Sequence, residues 1–214
     1  MELVLATNNA NKLREIQAQL SMSSVRVVSA KEAGVPEDFD VDETGETFSE
    51  NALLKAKAFA SLTHLPTIAD DSGLVVSALN GEPGVHSKRW VPGSDHDRNE
   101  HLIKLLAGLS DRSAEFVTVL ALYFPDTNET HFFEGTVKGQ ILTEERGSDG
   151  FGYDPVFVPE GYDKSFAELG LETKNTLSHR SRAVLKLKTF IEGNQEGSHV
   201  NDLPTTIPHP GKLR

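Results

Sequence analysis

The chain has 214 residues and a formal net charge of -11, a balance that argues against clamping a nucleic-acid duplex, which needs a basic face. Cysteine is absent, which excludes a disulfide framework, a thiolate nucleophile and Cys-ligated zinc. No apolar run reaches membrane-spanning length and the start lacks a signal pattern, so the chain reads as soluble and cytoplasmic.

One domain is expected over residues 1–192, with a polar, proline-containing tail over 193–214. Residues 3–6 form a compact apolar strand. Thr7-Asn8-Asn9-Ala10-Asn11-Lys12 follows, then a helical period with Leu13, Ile16 and Leu20 on one face. Strand, short polar loop and helix is a geometry in which helix N-terminal N–H groups face an anion, and Lys12 adds charge beside them. The same loop also reads as an Asn-rich helix cap. Residues 25–29 form a second strand, and an acidic loop over 37–46 carries Glu43. Thr47-Phe48-Ser49-Glu50 is a capping box that opens a helix to about residue 64. That duty is sufficient for Glu50, and it sets Asn51 and Lys55 on a shared face.

Ala69-Asp70-Asp71-Ser72-Gly73 lies between two apolar runs, 66–69 and 74–79. The pattern predicts a hairpin whose turn presents two acids at a strand end. Such charges must be solvated, paired or metal-bound, though Asp, Ser and Gly also form ordinary exposed turns. A Gly/Pro-punctuated loop follows, with cations at Lys88 and Arg89. Ser94 caps a helix running to Leu109, with Leu102, Leu105, Leu106 and Leu109 inward. Residues 114–124 and 130–142 read as a structural hairpin of long strands.

The segment Gly147-Ser148-Asp149-Gly150-Phe151-Gly152-Tyr153-Asp154-Pro155 combines glycines with two aromatics and suits a planar base better than a phosphate. A strand follows at 156–158 and a short helical turn at 165–169. Lys174 is placed in a loop before Ser178-His179-Arg180, which opens the last helix. Ala183, Val184, Leu187, Phe190 and Ile191 mark that helix's buried face. His179 and Arg180 in its first turn oppose the helix dipole, a conflict that a nearby anion would relieve.

Together, Lys12, Lys55, Lys174 and Arg180 with the acids Glu43, Asp70 and Asp71 describe a nucleoside polyphosphate and a hard divalent cation. Oxygen ligands favour magnesium or manganese over zinc. At these residues the chain resembles the inosine/xanthosine triphosphate pyrophosphatases. The matching segments are 7–12, 45–52 with Lys55, 69–73, 151–155 and 178–180, in the family's order, within a resemblance over residues 2–191.

The resemblance implies an elongated α/β fold with a long central mixed β-sheet flanked by helices, and two lobes with an active-site cleft between them. It implies a homodimer and magnesium-dependent hydrolysis of ITP, dITP and XTP to monophosphate and pyrophosphate, with manganese as a substitute ion. No nucleic-acid or membrane partner is expected. Carried onto this chain, Thr7, Asn8, Asn9, Ala10, Asn11 and Lys12 cradle the phosphates. Asp71 is the general base and a metal ligand, Glu43 joins it on the metal, and Ser72 touches substrate. Phe151, Gly152, Tyr153, Asp154, Lys174, His179 and Arg180 hold base and sugar. Asn8 stands where many relatives have glycine, and the tail has no counterpart.

Magnesium with Lys12 and Lys55 can compensate the charge of the leaving pyrophosphate. Asp71 can deprotonate the attacking water or hold the metal that acidifies it. A backbone N–H or Arg180 can donate to a purine 6-oxo group. An adenine 6-amino group there would leave the donor unpaired, at about 1–3 kcal/mol. A pyrophosphatase for another nucleotide, a non-catalytic nucleotide sensor and a nucleic-acid-binding module, the last disfavoured by the charge, are the competing readings. If the strand persists to Asp71, only one of the adjacent acids faces the site, and the resemblance selects Asp71.

Overall fold

The computed structural model describes residues 2–20 and 25–196. Fully buried Leu3, Val4 and Leu5 make β1 (Glu2–Leu5) a core strand. Asn9 then caps α1 (Ala10–Gln19), which buries Ile16. After β2 (Arg26–Ser29), the expected capping box of Thr47 and Glu50 opens α2 (Phe48–Thr63), and His64 ends it in the left-handed conformation. β3 (Thr67–Val76) is followed by α3 (Asp95–Leu105), β4 (Ser113–Phe124), β5 (Glu129–Ile141) and β6 (Phe157–Pro159). The last helices are α4 (Phe166–Leu177) and α5 (His179–Glu196).

The strands form one mixed sheet of six in the order β2-β1-β3-β4-β5-β6. β1 is parallel to β2 and β3, and the remaining pairings are antiparallel. Helices cover both faces. Ala52, Ala56 and Phe59 of α2 pack on Ala69 and Ala121 at one face. Ala183, Val184 and Leu187 of α5 pack with Ile16 on Ile68, Leu120 and Leu122 at the other. A further cluster gathers Leu102 and Leu106 with Phe116, Tyr153, Phe157 and Phe166. The α/β class and mixed sheet agree with the fold that the sequence resemblance implied.

The hairpin expected at Asp70–Gly73 does not form. β3 runs unbroken through those residues, with Asp70 opposite Leu120, Asp71 opposite Val119 and Gly73 opposite Val117. Continuous pairing with β4 supplies the ladder that a turn would forfeit, and cations on both faces compensate the acids. Lys174 is not in a loop. Gly170, at φ 75°, breaks α4 into two helical stretches, and Lys174 sits in the second. α3 stops at Leu105, so Leu105 and Leu109 lie 42% and 44% exposed, while Leu102 and Leu106 are buried as expected. α5 continues to Glu196, past the expected boundary at 192. The rest of the expected tail, 197–214, lies outside the described residues.

Candidate active site

The site begins where β1 ends. β1 pairs with β3 only at Val4–Thr67 and Leu5–Ile68, and the next link on that edge is the Val75–Pro83 bridge. Between them, among the described residues, no strand flanks β3 on that side. A ligand at this gap can reach side chains from both faces of the sheet. Open α/β sheets commonly bind ligands beyond the carboxyl ends of parallel strands.

The loop leaving β1 lies at this gap and is largely self-capped. Asn9 Oδ1 accepts from the backbone N–H groups of Asn11 at 2.9 Å and Lys12 at 3.3 Å. Thr7 Oγ1 accepts from Asn9 N–H, and Asn8 Nδ2 donates to the Phe39 carbonyl at 2.7 Å. The phosphate cradle expected from free helix donors is thus partly occupied by the loop's own oxygens. Lys12 contributes its ammonium, 2.9 Å from Asp70.

On the α1/α5 face, Asp70 is 1% exposed and surrounded by cations. Lys12 meets its Oδ2, Arg180 approaches at 3.4 Å, and the Ser72 hydroxyl donates to the same oxygen at 3.0 Å. Burial opposes charge on Asp70, but Lys12 and Arg180 outweigh it and hold the carboxyl well below its ordinary value. The guanidinium of Arg180 also donates to Ser72 Oγ at 2.9 Å and pairs with Glu15.

Glu15 is the residue that sequence reasoning missed here. It is buried in α1 and also meets Lys174 at 3.1 Å. Lys174 in turn pairs with Asp154 at 2.6 Å, and its ammonium lies 4.3 Å from the centroid of the Phe151 ring. The dipole conflict read at His179 and Arg180 is therefore relieved internally. Arg180 is paired by Glu15 and Asp70. Burial and the neighbouring Arg180 and Lys174 push His179 well below its ordinary value, so the ring is neutral. It stacks on Phe116 at 4.7 Å, and its Nδ1 is buried without a hydrogen-bond partner.

The α2 face carries Asp71. Lys55 Nζ is 3.3 Å from Asp71 Oδ1 and 2.5 Å from Glu43 Oε1. Arg89 holds Glu43 from the other side, 2.6 Å from Oε2, and also donates to the Glu43 carbonyl at 2.9 Å. The acidic loop is thus fastened over β3 by α2 and by the loop after β3. Burial raises Asp71, although Lys55 pulls the other way. Glu50 performs its capping duty, accepting from the N–H groups of Glu46 and Thr47.

The base-sized loop divides its aromatics. Phe151 is half-buried beside Lys174 and Arg180, whose Cζ lies 5.8 Å from the ring centroid. Tyr153 is buried in the core, and its hydroxyl donates to the Ser87 carbonyl at 3.0 Å. Asp154 accepts from Phe151 N–H at 2.8 Å, which closes the turn. Gly152 is gripped by Asp95 and Asn99 of α3, a contact that no local signal announced.

The residues fit a hard divalent cation. Asp71 Oδ2 is buried without a hydrogen-bond partner, and Glu43 supplies a second carboxylate beside the same lysine. Among the described residues, no group of three or more His, Cys, Asp or Glu converges for a metal. Magnesium, however, is commonly held by one or two carboxylates together with substrate phosphates.

Fold and site define a mixed-sheet α/β protein whose central strand sends neighbouring acids into lysine-lined surroundings on both faces. The Ham1 family profile matches residues 3–190. The chain is 47% identical over 186 residues to the dITP/XTP pyrophosphatase of Symbiobacterium thermophilum, covering 86% of this chain and 91% of that protein. It is 48% identical over 194 residues to the dITP/XTP pyrophosphatase of Porphyromonas gingivalis, covering 89% and 97% respectively. A solved HAM1 protein from Coxiella burnetii matches with a TM-score of 0.83 at 40% identity, covering 90% of this chain and 99% of that one. The chain belongs to the Ham1 family.

Proposed function

We propose that this protein hydrolyses the non-standard purine nucleoside triphosphates ITP, dITP and XTP to the monophosphate and pyrophosphate, and so cleanses the nucleotide pool before polymerases use it. The Ham1 relatives named dITP/XTP pyrophosphatases support the substrate class. The observation that carries the chemistry is Asp71, a buried carboxylate with one free oxygen, next to Glu43 and Lys55.

Water attacks the α-phosphorus, the bond to the α–β bridging oxygen breaks, and pyrophosphate leaves. Asp71 orients that water and takes its proton, a duty suited to a carboxyl raised by burial. Lys12 and Lys55 place positive charge beside the phosphates, and the loop from Thr7 to Lys12 lines their path. Glu43 and Asp71 would hold magnesium, with manganese as the substitute ion. When bound, the cation neutralises charge on the phosphate oxygens. Phe151 offers the purine a flat face, a backbone N–H or Arg180 donates to its 6-oxo group, and Ser72, Lys174, His179 and the backbone around Gly152 and Asp154 complete the base and sugar contacts. Tyr153 supports these from the core. Homodimeric assembly in the cytoplasm completes the reading and is tested by sedimentation.

Product analysis tests the bond cleaved. Incubation with ITP and magnesium yields IMP and pyrophosphate, in equal amounts, if the α–β bond is cut. Release of IDP and orthophosphate would contradict the proposal.

A further inference from the structure

Gly152 stands at the centre of the aromatic loop, at φ 63°, and both peptide groups around it are held by one helix turn. Asp95 Oδ2 accepts from Gly152 N–H at 2.7 Å. Asn99, one turn further along α3, donates from Nδ2 to the Gly152 carbonyl at 3.1 Å and to Glu145 Oε1 at 2.6 Å. Residues i and i+4 share a helix face, so α3 presents an acceptor and a donor at a spacing that spans one residue's N–H and C=O. Asn99 is 1% exposed, whereas the Asp95 side chain is 48% exposed.

We propose that Asp95 and Asn99 are positioning residues for purine binding: by fixing Gly152 they aim the Phe151 ring at the space beside Lys174 and Arg180. The inference rests on the function proposed above, in which Phe151 receives the base. Glycine's freedom at φ and ψ gives the clamp its use, because with Gly152 released the placement of Phe151 rests on its bonds to Asp154 alone. The other side of the loop is already tied. Asp154 closes on Phe151 N–H, and Tyr153 is anchored to Ser87. The Phe151–Gly152 peptide has one further tie, the Asp154 N–H donating to the Phe151 carbonyl at a long 3.3 Å, so the shorter α3 contacts at Gly152 carry most of the restraint at this joint. Neither residue touches the phosphate-facing acids, so the clamp acts on binding of the base and not on bond cleavage.

The test compares variants of the full chain on ITP. Asp95→Ala removes the charge-assisted acceptor and is expected to raise KM about 5- to 20-fold with kcat within about 2-fold. Asp95→Asn keeps an acceptor oxygen and is expected to recover most of that loss. Asp97→Ala removes the α3 capping box, in which Asp97 bonds Ser94, without touching Gly152. It is expected to lower Tm and leave KM unchanged. Asn99→Ala should repeat the KM effect, but it is the less clean variant because Asn99 is buried. An unchanged KM in Asp95→Ala, a fall in kcat instead, or an equal KM rise in Asp97→Ala overturns the clamp. A wild-type protein with no turnover of ITP overturns the proposed function itself, which separates the two failures.

Discussion

Asp70 and Asp71 are chain neighbours that leave β3 on opposite faces of the sheet. Lys12 meets Asp70 at 2.9 Å on one side, and Lys55 meets Asp71 at 3.3 Å on the other. Their environments then push them in opposite directions. Lys12 and Arg180 overcome burial and hold Asp70 ionised, whereas burial raises Asp71. The pair is therefore not a dyad sharing one proton. One acid is saturated with cations, and the other keeps an oxygen free.

Neutralising each acid separately distinguishes their roles. Asp71→Asn should fold normally and lose at least about 100-fold in kcat, the scale of a missing general base. Asp70→Asn should cost on the order of 3 kcal/mol of stability, because it removes the anion shared by buried Arg180 and half-buried Lys12. Turnover and urea unfolding read both. Equal loss of kcat in two folded variants would contradict the division.

Asp70 also sets a pH dependence of stability. Its folded value lies below the ordinary 3.8, so the unfolded chain binds the extra proton. The stabilisation is fully present above about pH 5 and is lost as pH falls through 3.8 and below. The stability difference between wild type and Asp70→Asn should therefore be flat at neutral pH and shrink on acidification. Denaturant titrations between pH 3 and 7 check this. A difference that grows as pH falls would reverse the sign.

Glu15 binds Lys174 and Arg180 together, with both cations buried. Glu15→Ala should destabilise the protein by about 3–5 kcal/mol, since it strands charge in the interior. In the fraction that folds, KM for ITP should rise more than kcat falls, because the cations flanking Phe151 lose their anchor. Thermal unfolding and steady-state kinetics measure the two effects.

Gly73 shows how tightly the strand and the following loop are fitted. A Cβ there would stand 2.2 Å from the Gly84 carbonyl and 2.5 Å from Ser87 Oγ. Gly73→Ala should cost about 1–3 kcal/mol and displace the loop that carries Arg89, the partner of Glu43. Activity should fall with the stability. A variant as stable and active as wild type would mean that this loop is not held as described.

Local signals were sufficient for most elements, because caps and apolar periodicity are written in neighbouring residues. Thr47 with Glu50 opens α2, β4 is a long apolar run rich in Val, Leu, Ala and Phe, and β5 alternates as a half-buried strand should. The errors arose where distant residues decide. Asp70-Asp71-Ser72-Gly73 has the composition of a turn, yet Lys12, Lys55 and Arg180 make it a buried strand. Those cations come from three different helices. Glu15 looks like a solvent-facing helix residue until Arg180, 165 positions later, folds against it. Lys174 reads as a loop residue between the 165–169 turn and the last helix, whereas α4 restarts beyond the kink at Gly170 and carries it. The site's chemical inventory was readable from residue types, but its pairings belong to the tertiary structure.

The ratio of pyrophosphate release from ITP to that from GTP, measured with magnesium at equal subsaturating concentrations, tests the central claim most directly. GTP keeps the 6-oxo group and differs from ITP by a 2-amino group, so the comparison isolates rejection of a standard purine. A pool-cleansing enzyme predicts ITP turnover at least about 10-fold faster, the equivalent of one well-placed contact. Equal rates for ITP and GTP would contradict it.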